Sequence, residues 1–344
     1  MCGFFQAHEQ KNSIVRNYKL KVFVMFKNIF LLSVILNAFF VLPAIGQDFP
    51  NKRVRIIVGQ APGGASDTLA RIVGDKLSQM WKQPVLIENS AGASGSIGMN
   101  TVIKSAPDGH TLALVNFNHV VFEALSINPR YILEKEIIPI IGIATDSNIL
   151  VVNPNLQIKK VSELVTYSKN NPGKINFASG GVGSSGHLAG ELFKLQTGID
   201  MVHIAYKGAG PAIQDVISGT VTMMFSAAPV ALPLIKSGKL IPLAVTSESR
   251  STRTPEIPSL SEFGYQFNVR GYHGLAAPVG TPASLINQIN SDVKKVLEMD
   301  EVKDKIAGLG SEILSGTSNQ FSKLISDESQ KWRRVIKDAN IQKE

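Results

Sequence analysis

Three glycine-rich segments carry residue types that could hold a small anion through backbone amides. They lie within residues 54–71, 86–98 and 174–188, and each follows an apolar run and precedes an amphipathic stretch. Glycine leaves no side chain between backbone and ligand, and serine or threonine can cap the following helix. The free N–H groups of a first helical turn attract negative charge. The pattern therefore predicts an anion site built from loops that end strands and begin helices.

Glycine-rich turns also occur in α/β folds that bind nothing there, and the third segment has enzymatic alternatives. Residues 181–186 have the Gly-x-Gly-x-x-Gly spacing of a dinucleotide site, but the next strand, 201–205, is followed by Tyr206 where a ribose-binding acid is needed. Ser184 and His187 are neighbours at a helix start, which does not give triad geometry, and no Gly-x-Ser-x-Gly elbow occurs. We expect no enzyme, with an α/β enzyme as the alternative.

Several side chains beside these loops allow two interpretations each. Asp67 either caps a helix or, facing a cleft, would favour a ligand with an ammonium group, such as an amino acid. His187 either contacts a ligand or orients its loop, and Lys207 either reaches an anion or is solvated. The six histidines show no metal-ligand spacing, so we expect no metal and no cofactor. Packing or capping roles are expected for three of them, His110, His119 and His203.

Alternating strands and helices must position these loops, and the alternation predicts largely parallel sheets covered by helices. It is interrupted twice. Residues 137–152 are apolar except for Asp146-Ser147-Asn148, and residues 249–262 are polar and contain proline. We interpret these interruptions as crossings between two α/β lobes that face one cleft. The predicted lobes are a discontinuous first lobe, residues 47–147 plus 251–344, and an inserted second lobe, residues 148–250.

The N-terminus has the pattern of an export signal. Lys27 precedes an apolar run at 29–41, and small residues at 44 and 46 suit a signal peptidase. We predict a signal peptide over residues 1–46, with translation starting at Met25. Cys2 is the one cysteine and lies in this part, so we expect neither a disulfide nor a lipid anchor. The mature protein is expected to be soluble in the periplasm.

The remaining composition is that of a globular protein. The full chain has 344 residues, 44% of them hydrophobic, and a formal charge of +8. Without residues 1–46 it keeps 30 basic and 26 acidic side chains, a net charge of +4. This mild excess suits an anionic small molecule, and no basic stripe long enough to follow a nucleic acid is visible.

Six short motifs together resemble one known family. They are APGGASD at 61–67, AGASGSIG at 91–98, GSSGHL at 183–188, AYKG at 205–208, AVTS at 244–247 with Arg250 and Arg253, and APVGTP at 277–282. Residues 48–344 are similar, in this order and spacing, to the periplasmic solute-binding proteins of tripartite tricarboxylate transporters, also called Bug receptors. Each motif alone is weak, and the set is specific.

The resemblance implies a type II periplasmic-binding-protein fold, in which two lobes joined by two crossing segments close on a carboxylated solute. Hinges are expected near 146–150 and 246–253. The implied partners are a small carboxylate and the permease subunits in the membrane, with a two-component sensor kinase as the alternative. The expected ligand-binding residues are Gln60, Gly63, Gly64, Ser66, Asp67, Gly92, Ala93, Ser94, Ser179, Gly183, Ser184, His187 and Tyr206.

Three positions depart from the family's pattern. Gln60 stands where phenylalanine is usual, Asn89-Ser90 where Arg-Pro is usual, and Tyr272-His273-Gly274 where Trp-x-Gly is usual. Gln60 and Tyr272 are expected beside the cleft, so these departures affect the ligand class rather than the fold.

Overall fold

A computed structural model describes residues 49–251, 254–338 and 341–343. The predicted signal peptide, residues 1–46, lies outside the described residues, and so does Arg253. Within the described part, every helix is too short or too polar to cross a bilayer.

The described part alternates strands and helices. The strands are β1 (Val54–Val58), β2 (Val85–Asn89), β3 (Thr111–Asn116), β4 (Ile137–Val152), β5 (Asn176–Ser179), β6 (Val202–Ala205), β7 (Met223–Ala227), β8 (Ile241–Val245), β9 (Arg270–Pro278) and β10 (Glu312–Ser315). The helices are α1 (Ala65–Trp81), α2 (Ser96–Ile103), α3 (Phe117–Leu125), α4 (Leu133–Glu136), α5 (Val161–Asn170), α6 (Ser185–Thr197), α7 (Ala209–Ser218), α8 (Ala228–Lys236), α9 (Ala283–Glu298), α10 (Asp300–Gly308) and α11 (Ser318–Asp338).

One long strand belongs to both sheets of the molecule. β4 has 16 residues, and most of its side chains are buried. Up to Ser147 it pairs with β9 and β10, and from Asn148 it pairs with β7 and β8. The first sheet has the order β2-β1-β3-β9-β4-β10, and the second has the order β8-β4-β7-β5-β6. Each sheet with its helices forms an α/β lobe, and β4 is the first crossing between the lobes.

The sheets are mixed rather than largely parallel, which corrects the prediction from the sequence. β1 lies parallel to β2 and β3, and β5 lies parallel to β6 and β7. β4 runs antiparallel to its own neighbours β7, β8, β9 and β10, and β9 runs antiparallel to β3. Parallel neighbours need a helical return connection, whereas β4 and the segment before β9 connect one lobe to the other.

The second crossing lies beside the first. The backbone N–H of Val269 donates to the carbonyl of Thr246 at 3.0 Å. The Thr246 hydroxyl donates to the carbonyl of Val269 at 2.6 Å and accepts from the backbone N–H of Asn148 at 3.0 Å. Ile257, which precedes Val269 in the chain, packs with Val245 in the core of the second lobe. The two crossings are therefore tied together by one buried threonine. The lobe boundaries drawn from the sequence remain predictions.

The apolar residues that predicted the helices form the lobe cores. In the first lobe, Leu69 and Leu77 of α1 pack with Ile289 and Val293 of α9 on one side of the sheet. α11 covers the other side, where Trp332 meets the ring of Phe117 at 5.1 Å. The second lobe is covered by α6 on one side and by α7 and α8 on the other.

Four elements leave little signal in the sequence: α3, α4, α10 and β10. These are short, and α10 follows α9 after the single residue Met299, so their apolar positions are few or merge with those of a neighbour.

Gly190 allows α6 to lie directly on the ring of Phe177, and we expect Gly190→Ala to destabilise the fold. A Cβ at Gly190 would lie 2.1 Å from Cε2 of the fully buried Phe177. Overpacking of this kind costs roughly 1–3 kcal/mol. Urea unfolding would measure the loss. The matched control is Gly308→Ala in α10, where a Cβ has nothing within 4 Å and alanine favours the helix. Equal unfolding midpoints for the two variants would contradict the expectation.

Candidate functional site

A cavity lies between the two lobes. Its walls come from the first turns of α1 and α6, from the ends of β3, β7 and β9, and from the middle of β4. The lining residues are Gln60, Gly64, Ala65, Ser66, Asn116, Phe117, Asn118, Asp146, Asn148, Gly180, Ser184, Ser185, Gly186, Ala209, Met224, Phe225, Ala227, Gly271 and His273.

The first lobe contributes the start of α1 to this cavity. Gly64 has extended backbone angles (φ −85°, ψ 171°) and precedes the helix, so the first-turn N–H groups at Ala65 and Ser66 begin at the cavity wall. These donors and the helix dipole favour a negative group there. Anion binding by this loop remains a prediction from the sequence.

Asp67 holds the loop before α1 and does not line this cavity. Its carboxylate accepts hydrogen bonds from the backbone N–H of Gly63 at 3.0 Å, from Arg71 at 2.8 Å and from the Asn89 amide at 3.0 Å. Burial alone would raise the pKa of Asp67, but these hydrogen bonds bring it below its ordinary value. The side chain is therefore ionised and satisfied within its own lobe.

A chain of buried polar side chains runs from the first lobe to the crossing strand. The Asn116 amide donates to Oε1 of Gln60 at 2.8 Å and to Oγ of Ser66 at 2.9 Å. Oγ of Ser66 lies 3.1 Å from Nδ1 of His273, and Nε2 of His273 lies 3.0 Å from Oδ1 of Asp146. Because the carboxylate only accepts, Nε2 carries a proton. In the neutral imidazole, Nδ1 then accepts the Ser66 hydroxyl proton.

The second lobe contributes the start of α6. The Ser184 side chain caps this helix by accepting from the backbone N–H of His187 at 3.2 Å. The Ser185 hydroxyl donates to Oδ1 of Asn148 at 3.1 Å, which ties α6 to β4. A Cβ at Gly186 would lie 2.3 Å from the carbonyl oxygen of Phe225, so only glycine lets the helix start approach β7 this closely. A second set of free N–H groups thus faces the cavity from the opposite lobe.

A stacked pair of histidines supports the loop before α6. The rings of His187 and His203 lie 4.0 Å apart. Nδ1 of His187 accepts from the backbone N–H of Gly183 at 3.2 Å, and Nε2 of His203 lies 2.7 Å from the Ser179 hydroxyl. Burial, together with the charge of His203, lowers the pKa of His187 to about 3, and burial lowers the pKa of His203 to about 4. Both rings are neutral at neutral pH and hold the loop from beneath.

The second glycine-rich loop lines an adjacent cavity. Gln60 and Gly180 line both cavities and separate them. The lining of the adjacent cavity is completed by Gly59, Gly92, Ala93, Ser94, Gly95, Gly181, Val182, Ala205, Tyr206 and Lys207.

The lobes touch through main chain at the rim of the cleft. The N–H of Ala61 donates to the carbonyl of Lys207 at 2.8 Å. A Cβ at Gly210 would lie 2.5 Å from the carbonyl oxygen of Pro62, and one at Gly208 would lie 3.0 Å from the nitrogen of Ala61. The structure therefore has its lobes closed on each other at this rim, defined here as residues 61–63 and 207–210.

The residues expected from the sequence to bind ligand are divided among these places. Gln60, Gly64, Ser66 and Ser184 line the main cavity, and Gly92, Ala93, Ser94 and Tyr206 line the adjacent one. The remaining five hold the loops from behind or lie to one side of both cavities: Gly63, Asp67, Ser179, Gly183 and His187.

The sequence interpretation missed the polar residues at the centre of the cavity. Asp146 and Asn148 were visible as a polar interruption of an apolar strand, and His273 as a departure from a family motif. Asn116 had no signal beyond its position at the end of a strand. Tyr272, expected beside the cleft, is 3% exposed and packs 5.7 Å from the ring of Phe117.

Comparisons with known proteins identify the family. A model described as tripartite tricarboxylate transporter family receptor matches residues 69–341. The chain belongs to this family. It is 34% identical over 299 residues to protein BugT of Bordetella pertussis. This alignment covers 86% of this chain and 92% of BugT.

Solved structures of relatives have the same fold. The structure of Rhodopseudomonas palustris Rpa4515 with adipate is 29% identical and has a TM-score of 0.84, covering 86% of this chain and 100% of the other. MatC from the same species with bound malate is 28% identical with a TM-score of 0.79, covering 84% and 100%. The predicted resemblance to Bug receptors and the two-lobed type II periplasmic-binding-protein fold are confirmed.

The buried histidines of this receptor predict that stability falls as the pH is lowered from about 6.5 towards 4. Burial lowers the pKa of His119 and His203 to about 4, and burial with the charge of His203 lowers that of His187 to about 3. In the unfolded chain these rings regain ordinary values near 6.5 and bind protons that the folded state excludes. Urea midpoints at pH 8, 6.5 and 5 would measure the slope.

His203→Gln serves as the matched variant for this measurement, since it removes one of the stacked rings and leaves every carboxylate in place. Its free energy of unfolding should depend less on pH between 6.5 and 5 than that of the wild type. Parallel curves for the two proteins would contradict the role given to the histidine pair.

Proposed function

We propose that this chain is a periplasmic solute receptor that binds a small carboxylate in the cavity between its lobes and presents it to a membrane permease. One observation carries the proposal: the first turns of α1 and α6 reach the same cavity from opposite lobes. Free N–H groups at two helix starts can hold a carboxylate without a lysine or arginine. Adipate and malate, which are bound in the structures of two relatives, are carboxylates as well.

The permease partnership and the periplasmic location are supported by the family description and by the export pattern of residues 1–46. In this proposal the lobes open and close about the two crossings, which lie at 146–148 in β4 and at 269–271 at the start of β9. The Thr246 bonds to both crossings would keep them in register while the lobes move.

The enzyme alternative has one specific basis in the structure. Ser66, His273 and Asp146 have the residue types and contacts of a hydrolase triad. The receptor function is favoured because Oγ of Ser66 also accepts from Asn116 and because the relatives are described as receptors and binding proteins. Turnover of an activated ester that disappears in Ser66→Ala would decide for the enzyme and against a pure receptor.

Gly64→Val is expected to weaken carboxylate binding while preserving the fold. A Cβ at Gly64 has its nearest neighbours at 3.9 Å, so the backbone accepts it, but the added methyl groups project where a ligand meets the start of α1. We expect binding to weaken about tenfold or more, ~1.4 kcal/mol. Titration calorimetry on residues 47–344, with ligands chosen by a thermal-shift screen of carboxylates, would measure it.

Ala283→Val is the matched control for this change, because Ala283 is exposed at the first position of α9. It should bind as the wild type does. Unchanged affinity in Gly64→Val would contradict the site, and a screen in which no carboxylate raises the melting temperature would contradict the function.

Gly210→Ala is expected to oppose closure of the lobes. Its Cβ would lie 2.5 Å from the carbonyl oxygen of Pro62 across the cleft, a contact that exists only when the rim is closed. Ligand affinity should fall by about tenfold or more because binding must then work against this clash. Small-angle scattering should give a larger radius of gyration for the liganded variant than for liganded wild type or Gly308→Ala. Identical radii and affinities would rule out closure at this rim.

A further inference from the structure

One carboxylate oxygen in the main cavity has no hydrogen-bond partner within the described part of the chain. The side chain of Asp146 is 0% exposed. Its Oδ1 accepts from Nε2 of His273 at 3.0 Å, while Oδ2 is buried without a partner. A buried acceptor left unpaired costs free energy, and such atoms in a folded protein call for an explanation. A donor on a bound ligand would supply the missing hydrogen bond.

The residue opposite Asp146 has no side chain beside this oxygen. Gly271 pairs with Asp146 across β9 and β4 and lines the same cavity. A Cβ at Gly271 would lie 3.2 Å from Oδ2 and 3.5 Å from Cγ of Asp146. Alanine here would crowd the carboxylate, whereas glycine places no side chain between Oδ2 and a ligand in the cavity.

The charges around the cavity define what that ligand atom must be. Among the described lining residues Asp146 and His273 are the titratable ones, and none is lysine or arginine. His273 is already bonded through both nitrogens, to Ser66 and to Asp146. A ligand whose only polar groups are carboxylates brings no hydrogen-bond donor to Oδ2. A ligand ammonium would donate to Oδ2 and supply the missing hydrogen bond.

The donors for the other end of the ligand are also present. Nδ2 of Asn148 is buried and has no partner in the described part of the chain, and Asn148 lines the cavity. With the first turns of α1 and α6, it supplies N–H groups for a carboxylate. Donors and a carboxylate acceptor thus face one small space.

We infer that the cavity selects a carboxylate that also bears an ammonium group, of the amino acid class, with the ammonium on Oδ2 of Asp146. This rests on the proposed receptor function and narrows its ligand class. Asp146 takes the role that the sequence offered to Asp67, whose carboxylate is satisfied within its own lobe. The adipate and malate named for the two relatives lack this group.

The test uses matched ligands that differ in one substituent. Calorimetry at pH 7.5 would compare four series of ligands. They are propanoate with alanine; succinate with malate and aspartate; adipate with 2-aminoadipate; and phenylpropanoate with phenylalanine. In at least one series the amino member should bind about tenfold or more tighter than its unsubstituted partner. Equal or tighter binding of the unsubstituted or hydroxylated members overturns the inference and leaves the carboxylate function intact. Binding of no member would overturn the proposed function as well.

Three variants test whether Asp146 causes the tighter binding of the amino ligands. Asp146→Asn keeps an oxygen for His273 but places an NH₂ group where the ammonium would bind, so the preference for the amino member should vanish. Asp304→Asn removes the same charge at an exposed position of α10 and should leave it unchanged. Gly271→Ala keeps the charge and crowds Oδ2, and it should reduce the preference too. Retention of the full preference in both Asp146→Asn and Gly271→Ala would refute the assignment.

Discussion

The whole binding site depends on one strand that must satisfy two sheets at once. The backbone of β4 bonds to β9 and β10 at one end and to β7 and β8 at the other, and the change falls between Ser147 and Asn148. Elsewhere in this strand side chains enter an apolar core. At the change the strand carries the polar residues Asp146, Ser147 and Asn148, which are buried. Asp146 and Asn148 line the cavity between the lobes.

Buried polar side chains in the middle of β4 need hydrogen-bond partners, and these hydrogen bonds fix the geometry of the loops of the first lobe. Asp146 is bonded to His273 on β9, and His273 to Ser66 in the first turn of α1. Asn116, at the end of β3, joins Ser66 to Gln60. This chain ties three loops of one lobe to the crossing strand. The donors at the cavity wall are therefore held in place before a ligand arrives, which limits the entropy lost on binding.

The sequence was sufficient for the two-lobed α/β fold and for locating the glycine-rich loops around the cavities. Periodic apolar positions such as Leu69, Val73 and Leu77 predicted α1, and glycine-rich loops marked the helix starts that face the cleft. Individual side-chain roles were less accessible. His187 has the same local sequence whether it faces a ligand or stacks on His203, because the ring contact depends on a strand sixteen residues away in the chain. Asp146 and His273 are 127 positions apart, and no local pattern relates them.

The two sides of the rim, residues 61–63 and residues 207–210, meet through main-chain atoms and glycine. Backbone contacts of this kind are indifferent to the chemistry of the molecule enclosed. In the proposed receptor, solute choice would be set instead by the few side chains on the crossing strands, which lie outside the rim. The architecture thus separates two properties that could otherwise conflict: the stability of the closed form and the choice of ligand. A redesign could alter cargo by changing the crossings alone, while the surface offered to a downstream partner stays the same.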